Sequence, residues 1–261
     1  MGDIPDSHPR RASLLARQSL VNAAAEGLLA DSAMIAHGRG EAFDYLLGET
    51  TSDSAMDAIR QAAARLLVAE RPVISVNGNT VVLAGKELIR VSAVVGCPIE
   101  VNLYYRTPER VSGLLGRLSQ QRDAVASEPA PGSWEGDWRE AVGSVVLLGD
   151  AADHSLPGLE GPRAKCCREG IGEADVILVP LEDGDRCEAL VAAGKQVLVV
   201  DLNPLSRTAM TATVTIVDEV SRAATELLGE VVAGDCESSE WNNAAALNAA
   251  LDIISDASAE A

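Results

Sequence analysis

The sequence predicts an α/β protein, a mostly parallel sheet with helices on both faces and a helical segment at the N-terminus. Three observations carry that prediction. Short runs that are apolar throughout, such as PVISV at 72–76, ADVILVP at 174–180 and QVLVVD at 196–201, alternate with longer stretches of helical periodicity; this is the pattern of strands buried on both faces and joined by crossover helices. Several runs end in dense polar clusters, among them EDGDR at 182–186 and LNPLSRT at 202–208, where parallel strands present ligand sites at their carboxyl ends. With 261 residues, the chain can bury a substantial core.

Residues 9–30 read as the first helix, opened by SHP at 7–9 and carrying Leu14, Leu15, Leu20, Val21 and Leu28 at apolar positions. A glycine-bounded loop at 36–49 follows. TSDS at 51–54 caps a second helix that runs through Ala69, and Pro72 marks the next strand. The alternation continues as strand 72–77, helix 79–95, strand 98–104, helix 107–121, strand 144–149 and a short helix near 163–169. Strand 174–180, helix 185–193, strands 196–201 and 213–217, and helix 219–232 complete it. Residues 122–142, rich in acids, prolines and glycines, interrupt this rhythm and read as a surface insertion or mobile loop, with Trp134 and Trp138 as its anchors. The organisation is therefore a single domain over 1–233 and an acidic, alanine-rich tail over 234–261. Trp241 to Ile254 in that tail fit an amphipathic helix, and the last residues are expected to be disordered.

The balance of 39 acidic against 21 basic residues gives a net charge of −18, which repels nucleic acid and anionic membranes. It leaves two readings open, a basic partner or a surface suited to a salty, halophilic cytoplasm. No window offers the roughly 18 consecutive apolar residues of a membrane span, and no apolar segment follows the charged start. The expectation is a soluble, cytoplasmic protein. Five cysteines form no CxxC pair and no Cys/His metal spacing, so no metal ligand is assigned from sequence.

Neither GxxxxGK[ST] nor GxGxxG occurs, so a nucleotide site must be built in another way and a dinucleotide oxidoreductase is disfavoured. The stretch HGRGE at 37–41 places two glycines around Arg39, which fits either a plain turn or an anion cradle with a bidentate donor at its centre. His37 is the histidine with a crowded polar neighbourhood and the candidate general base; His8 and His154 stand alone in proline-bearing loops. Asn77, Asn102 and Arg106 fall at strand ends and, with Arg207, form a candidate set for phosphate and carboxylate groups. In EDGDR, Asp185 either caps the following helix or belongs with acids that accept ribose hydroxyls or hold Mg²⁺. Asp201 and Asn203 extend that edge.

Six motifs, PDSHPRRASLLAR at 5–17, IAHGRGEAFDYLLGE at 35–49, PVISVNGN at 72–79, EVNLYYRT at 100–107, LVPLEDGDR at 178–186 and DLNPLSRTA at 201–209, occur in order. Together they resemble the archaeal phosphopantothenate synthetase (4-phosphopantoate–β-alanine ligase) family over residues 4–222. The resemblance implies a Rossmann-like fold and an ATP- and Mg²⁺-dependent amide ligase of archaeal coenzyme A synthesis, active as a homodimer. It would join 4-phosphopantoate and β-alanine through an acyl-adenylate to give 4'-phosphopantothenate, AMP and pyrophosphate. It also implies that Arg17 and Arg39 touch the ATP phosphates. Glu182, Asp183, Gly184, Glu188 and Ala189, continued by Asp201, Leu202 and Asn203, would then line the nucleoside. Asn77, Arg106 and Arg207 are assigned to phosphopantoate on charge and position, and His37, Arg106 and Arg207 are the catalytic candidates. Two departures stand out: Cys187 replaces the threonine usual in the family motif, which puts a hydroxyl contact to phosphate in doubt, and the 122–142 segment is longer. The alternative function is a non-catalytic nucleotide or phosphate sensor using the same pocket.

Overall fold

The computed structural model describes residues 4–257. Three helices, α1 (Arg11–Ala25), α2 (Asp31–Leu46) and α3 (Asp53–Val68), precede the first strand, β1 (Pro72–Val76). Then come α4 (Gly78–Val95), β2 (Ile99–Val101), α5 (Pro108–Val125), α6 (Trp138–Gly143) and β3 (Leu147–Leu148). A small antiparallel pair, β4 (His154–Ser155) and β5 (Lys165–Cys166), lies beside the main sheet, followed by a π turn at Arg168–Gly172. The second half continues as β6 (Val176–Pro180), α7 (Gly184–Ala192), β7 (Gln196–Val200), α8 (Arg207–Thr211), β8 (Val214–Ile216), α9 (Val220–Ala233) and α10 (Asn243–Ala257).

The six strands of the main sheet run in the order β3-β2-β1-β6-β7-β8 and every pairing is parallel. Alternate residues of each strand point to opposite faces, and both faces are covered. Ile74, Val76, Leu178, Leu198 and Val200 pack with Ile59 of α3, Leu88 of α4, Leu114 of α5 and Leu227 of α9. Val73, Ile177, Val179, Val197 and Val199 pack on the other side with Ile171 and with Cys187 and Leu190 of α7. The uniformly apolar runs of the sequence therefore have a two-sided cause.

Helix ends follow local chemistry. Ser52, Asn77 and Thr107 cap α3, α4 and α5 through their side-chain oxygens, and α4 stops at Gly96, whose φ of 75° ends the helix in the left-handed region. The first helix ends at Ala25 rather than near residue 30, because Gly27 with φ 77° turns the chain. The expected loop at 36–49 is instead largely helix α2. Its two glycines cost about 1 kcal/mol each relative to alanine, and tertiary ties from Glu41 and Asp44 hold it in place. The helix expected near 163–169 is replaced by a short 3₁₀ turn, β5 and the start of the π turn, and strand 144–149 shrinks to Leu147–Leu148.

Within 122–142, α5 continues to Val125 and α6 begins at Trp138. Trp138 is buried in the main core, donates its indole N–H to the Val125 carbonyl at 3.2 Å and meets Trp134 edge-on at 5.7 Å. The helix expected in the tail is α10, whose Leu247 and Ala250 pack with Leu47, Ala209 and Val217. Residues 258–261, expected to be disordered, lie outside the described residues. Among the described residues no helix is long and apolar enough to cross a membrane.

Candidate active site

The chain winds outward from the β1–β6 pair in two directions, so strand order reverses there, and open parallel sheets take ligands at such a point. A cavity of about 770 Å³ lies over the carboxyl ends of β1, β2 and β6. Its floor is tied across the seam. Asn77 accepts from the Thr80 amide at 3.1 Å as the cap of α4 and donates to the Leu181 carbonyl at 2.7 Å, while the Thr80 hydroxyl donates to the Pro180 carbonyl at 3.0 Å. Leu181 takes φ 63°, an uncommon conformation for a branched residue that costs roughly 1–2 kcal/mol.

α1 and α2 supply another wall. Glu41 receives the Arg17 Nε–H at 2.7 and 2.8 Å and the Ser13 hydroxyl. Burial pushes its carboxyl up, but Ser13 and Arg17 outweigh that and hold it below the usual range. Burial lowers the His37 pKa, favouring neutral imidazole, and its Nε2 has no hydrogen-bond partner. Arg39 faces the cavity with no hydrogen bond or ion pair among the described residues. α2 is fixed to α9 by Arg222, which bridges Asp44 and Asp218, the latter at 2.6 Å.

The third wall is the β6–α7 corner. Asp183, rather than Asp185, caps α7, accepting from the Arg186 amide at 3.0 Å. Burial raises the Glu182 carboxyl to about 7 against the pull of Arg186. The Arg186 side chain is 3% exposed; its Nη1 reaches Asn102 Oδ1 and, at 3.3 Å, the Arg163 carbonyl. Below it, Glu100 is wholly buried and accepts the Cys167 amide at 2.9 Å and the Ile171 amide at 2.8 Å.

His37, Arg39, Asn77, Glu182, Asp183 and Leu202 therefore share one cavity. Arg17 stands behind Glu41 rather than in the wall itself. Asp201 and Asn203 are folded into the turn before α8: Asp201 accepts the Asn203 amide at 2.9 Å and the Ser206 hydroxyl, and Asn203 accepts the Leu205 amide at 3.0 Å. Gly184, Glu188 and Ala189 lie along α7 outside the cavity lining; Arg207 crosses Gly184 and pairs with Asp185 and, at 3.3 Å, with Glu188. Arg106 donates to the Gly149 carbonyl beyond the end of β3. The structure thus does not bring Arg106 or Arg207 to the cavity, since each has a committed partner elsewhere. Cys187, at the position of the expected threonine, is turned inward, its thiol 3.7 Å from the Thr208 carbonyl and pushed by burial to about 12.

Sequence reasoning gave no role to Glu100, Arg163, Arg186 or Arg222. Arg186 lay inside a motif already singled out, and an arginine three positions after a helix cap was its signal. Glu100 opened another such motif, and Arg163 and Arg222 lay outside all six; these three are joined to the site by contacts 22 or more residues distant in sequence, which no local pattern encodes. Among the described residues no three His, Cys, Asp or Glu side chains form a metal-binding group. The arrangement is suited to holding anions and orienting them.

The profile of the phosphopantothenate/pantothenate synthetase family matches residues 54–257. That match continues past residue 222, where the motif resemblance ended, and takes in α10. Among curated proteins, the 4-phosphopantoate–β-alanine ligase of Thermococcus onnurineus is 45% identical over 223 residues, 85% of this chain and 78% of that protein. The ligase of the same name from Thermococcus kodakarensis is 46% identical over 85% of this chain and 78% of its own. That of Methanosarcina mazei is 46% identical over 85% and 79%. With the matched profile spanning most of the sequence and these relatives aligned along most of both chains, this chain belongs to the phosphopantothenate/pantothenate synthetase family.

Proposed function

We propose that this protein is a 4-phosphopantoate–β-alanine ligase, using ATP to form 4'-phosphopantothenate, AMP and pyrophosphate in coenzyme A synthesis. The carboxylate of phosphopantoate would attack the α-phosphorus with loss of pyrophosphate, and the amine of β-alanine would then displace AMP from the acyl carbon. Such a reaction needs no protein nucleophile; it needs the reacting groups aligned and the developing negative charge matched by fixed donors. The observation that carries the reading is a cavity at the strand-order reversal with an arginine, Arg39, facing into it free of hydrogen bonds and ion pairs among the described residues.

On this reading Arg39 holds ATP phosphate, with Arg17 keeping Glu41 charged and in place behind it. Glu182, Asp183 and Leu202 contact the nucleoside, and Asp201, Asn203, Gly184, Glu188 and Ala189 shape that edge. Asn77, at the N-terminus of α4, addresses phosphopantoate. His37, neutral because it is buried, is the acceptor for the ammonium proton of β-alanine. Mg²⁺ would neutralise the phosphates and arrive with the nucleotide, held chiefly by phosphate and water oxygens. The same reading takes the enzyme as a cytoplasmic homodimer.

Incubation with 4-phosphopantoate, β-alanine and ATP tests this directly. AMP release that requires both acids supports the ligase, whereas ATP binding without turnover would favour a sensor. Arg39→Ala is expected to abolish most coupling while leaving the melting temperature close to wild type; full activity in that variant would remove the role given to Arg39.

A further inference from the structure

The Arg186 guanidinium is the most deeply buried cation in contact with the cavity, and half of it is unused. The residue is 2% exposed, and neither Nε nor Nη2 has a hydrogen-bond partner. Glu182 Oε2 lies 3.1 Å from Nε, within ion-pair distance but not aligned as an acceptor. The Nη1 end is fixed. Asn102 donates its Nδ2 to the Lys165 carbonyl at 2.9 Å, which leaves its Oδ1 facing Nη1, and the Arg163 carbonyl adds a second acceptor at 3.3 Å.

Nε–H and the outer N–H of Nη2 lie along one edge of a planar guanidinium, at the spacing of two oxygens of a phosphate or carboxylate. A buried donor pair without acceptors costs stability that a side chain serving only to balance charge would avoid. The carboxylate nearest this edge is not aligned to accept from it, and burial raises the Glu182 pKa, which weakens its hold on the charge.

We propose that Arg186 is the binding residue for an oxyanion of one of the two acid substrates, taken side-on by Nε and Nη2 with Asn102 setting the plane of the fork. The proposal rests on the ligase reading for the identity of those acids. Their shared chemistry is a pair of anionic oxygens, offered by the phosphate and carboxylate of 4-phosphopantoate and by the carboxylate of β-alanine.

The test uses Arg186→Lys, which keeps the buried charge for folding but removes the two-donor edge, with Arg186→Gln beside it. Steady-state kinetics of Arg186→Lys are expected to raise the KM of one acid roughly 10- to 100-fold, with that of ATP unchanged. Which KM rises identifies the source of the oxyanion. Unchanged acid KM values, even with a lower melting temperature, would overturn the proposal, as would an increase for ATP alone.

Thermal protection supplies a readout independent of turnover. Inorganic phosphate or acetate is expected to raise the melting temperature of wild type, and the same ion to raise that of Arg186→Lys by distinctly less, Arg39 remaining as a second seat for it. If wild type makes no AMP with both acids, the ligase reading fails, while protection reduced in Arg186→Lys still supports an oxyanion seat. Protection by neither ion in wild type, or equal protection of wild type and variant, overturns it.

Discussion

Replacing Glu100 with glutamine changes the side chain by one atom, and it tests how the segment behind the cavity is held. The two carboxylate oxygens serve two backbone donors, Cys167 N–H at 2.9 Å and Ile171 N–H at 2.8 Å, in a site with no exposed surface. Glutamine can satisfy only one of them; its amide NH₂ would face the other donor. Losing one hydrogen bond and stranding a buried N–H corresponds to roughly 1–3 kcal/mol. Urea unfolding followed by tryptophan fluorescence measures this, read as a lower midpoint at constant slope. A change below about 0.5 kcal/mol, the range of ordinary surface substitutions, would refute the clamp. Catalysis is expected to fall as well, because the held segment begins at Lys165, whose carbonyl orients Asn102 and through it Arg186.

Gly170→Ala attacks the same clamp from the backbone side. Its added methyl would run into Glu100 Oε2 and approach Leu148 Cδ1 at 2.9 Å, and a loss of about 1–3 kcal/mol is expected by the same denaturation assay; wild-type stability would contradict it. Glu182 gives a pH signature. Its carboxyl is raised from 4.5 to about 7, so the folded state keeps a proton that the unfolded state releases. Relative to Glu182→Gln, wild type is expected to lose roughly 3 kcal/mol as pH rises from 4.5 through 7 and little beyond; parallel stability curves would count against this. With a net charge of −18, the melting temperature is expected to rise as KCl is increased toward 1 M, where the screening length falls to about 3 Å; a flat salt profile would remove the halophilic reading.

What could be read from the residues alone was what short-range pattern encodes. Pro72–Val76, Val176–Pro180 and Gln196–Val200 are buried on both faces and announce themselves by composition. Asn77 and Asp183 sit at strand-to-helix turns where polar residues have a local task, and both reached the cavity. α2 was illegible because two glycines argue against helix locally, while its stability comes from Glu41 and Asp44 reaching α1 and α9. Arg207 lies outside the cavity for the opposite reason. An arginine beside a strand-end motif looks available, yet Asp185 and Glu188 on a neighbouring helix already hold it. Charge in a sequence has no address until the helices are packed.

The corner at Leu181 has a wider meaning for how the molecule senses its ligands. The sheet is two three-stranded wings joined only where β1 meets β6, and the forced turn at Leu181 aims its carbonyl across that junction to Asn77. A molecule seated there touches both wings at once and works as a rivet. Occupancy should therefore slow amide exchange along β1 and β6 together, well below the cavity floor, and the fold as a whole, not merely the loops around the ligand, should register that the site is filled.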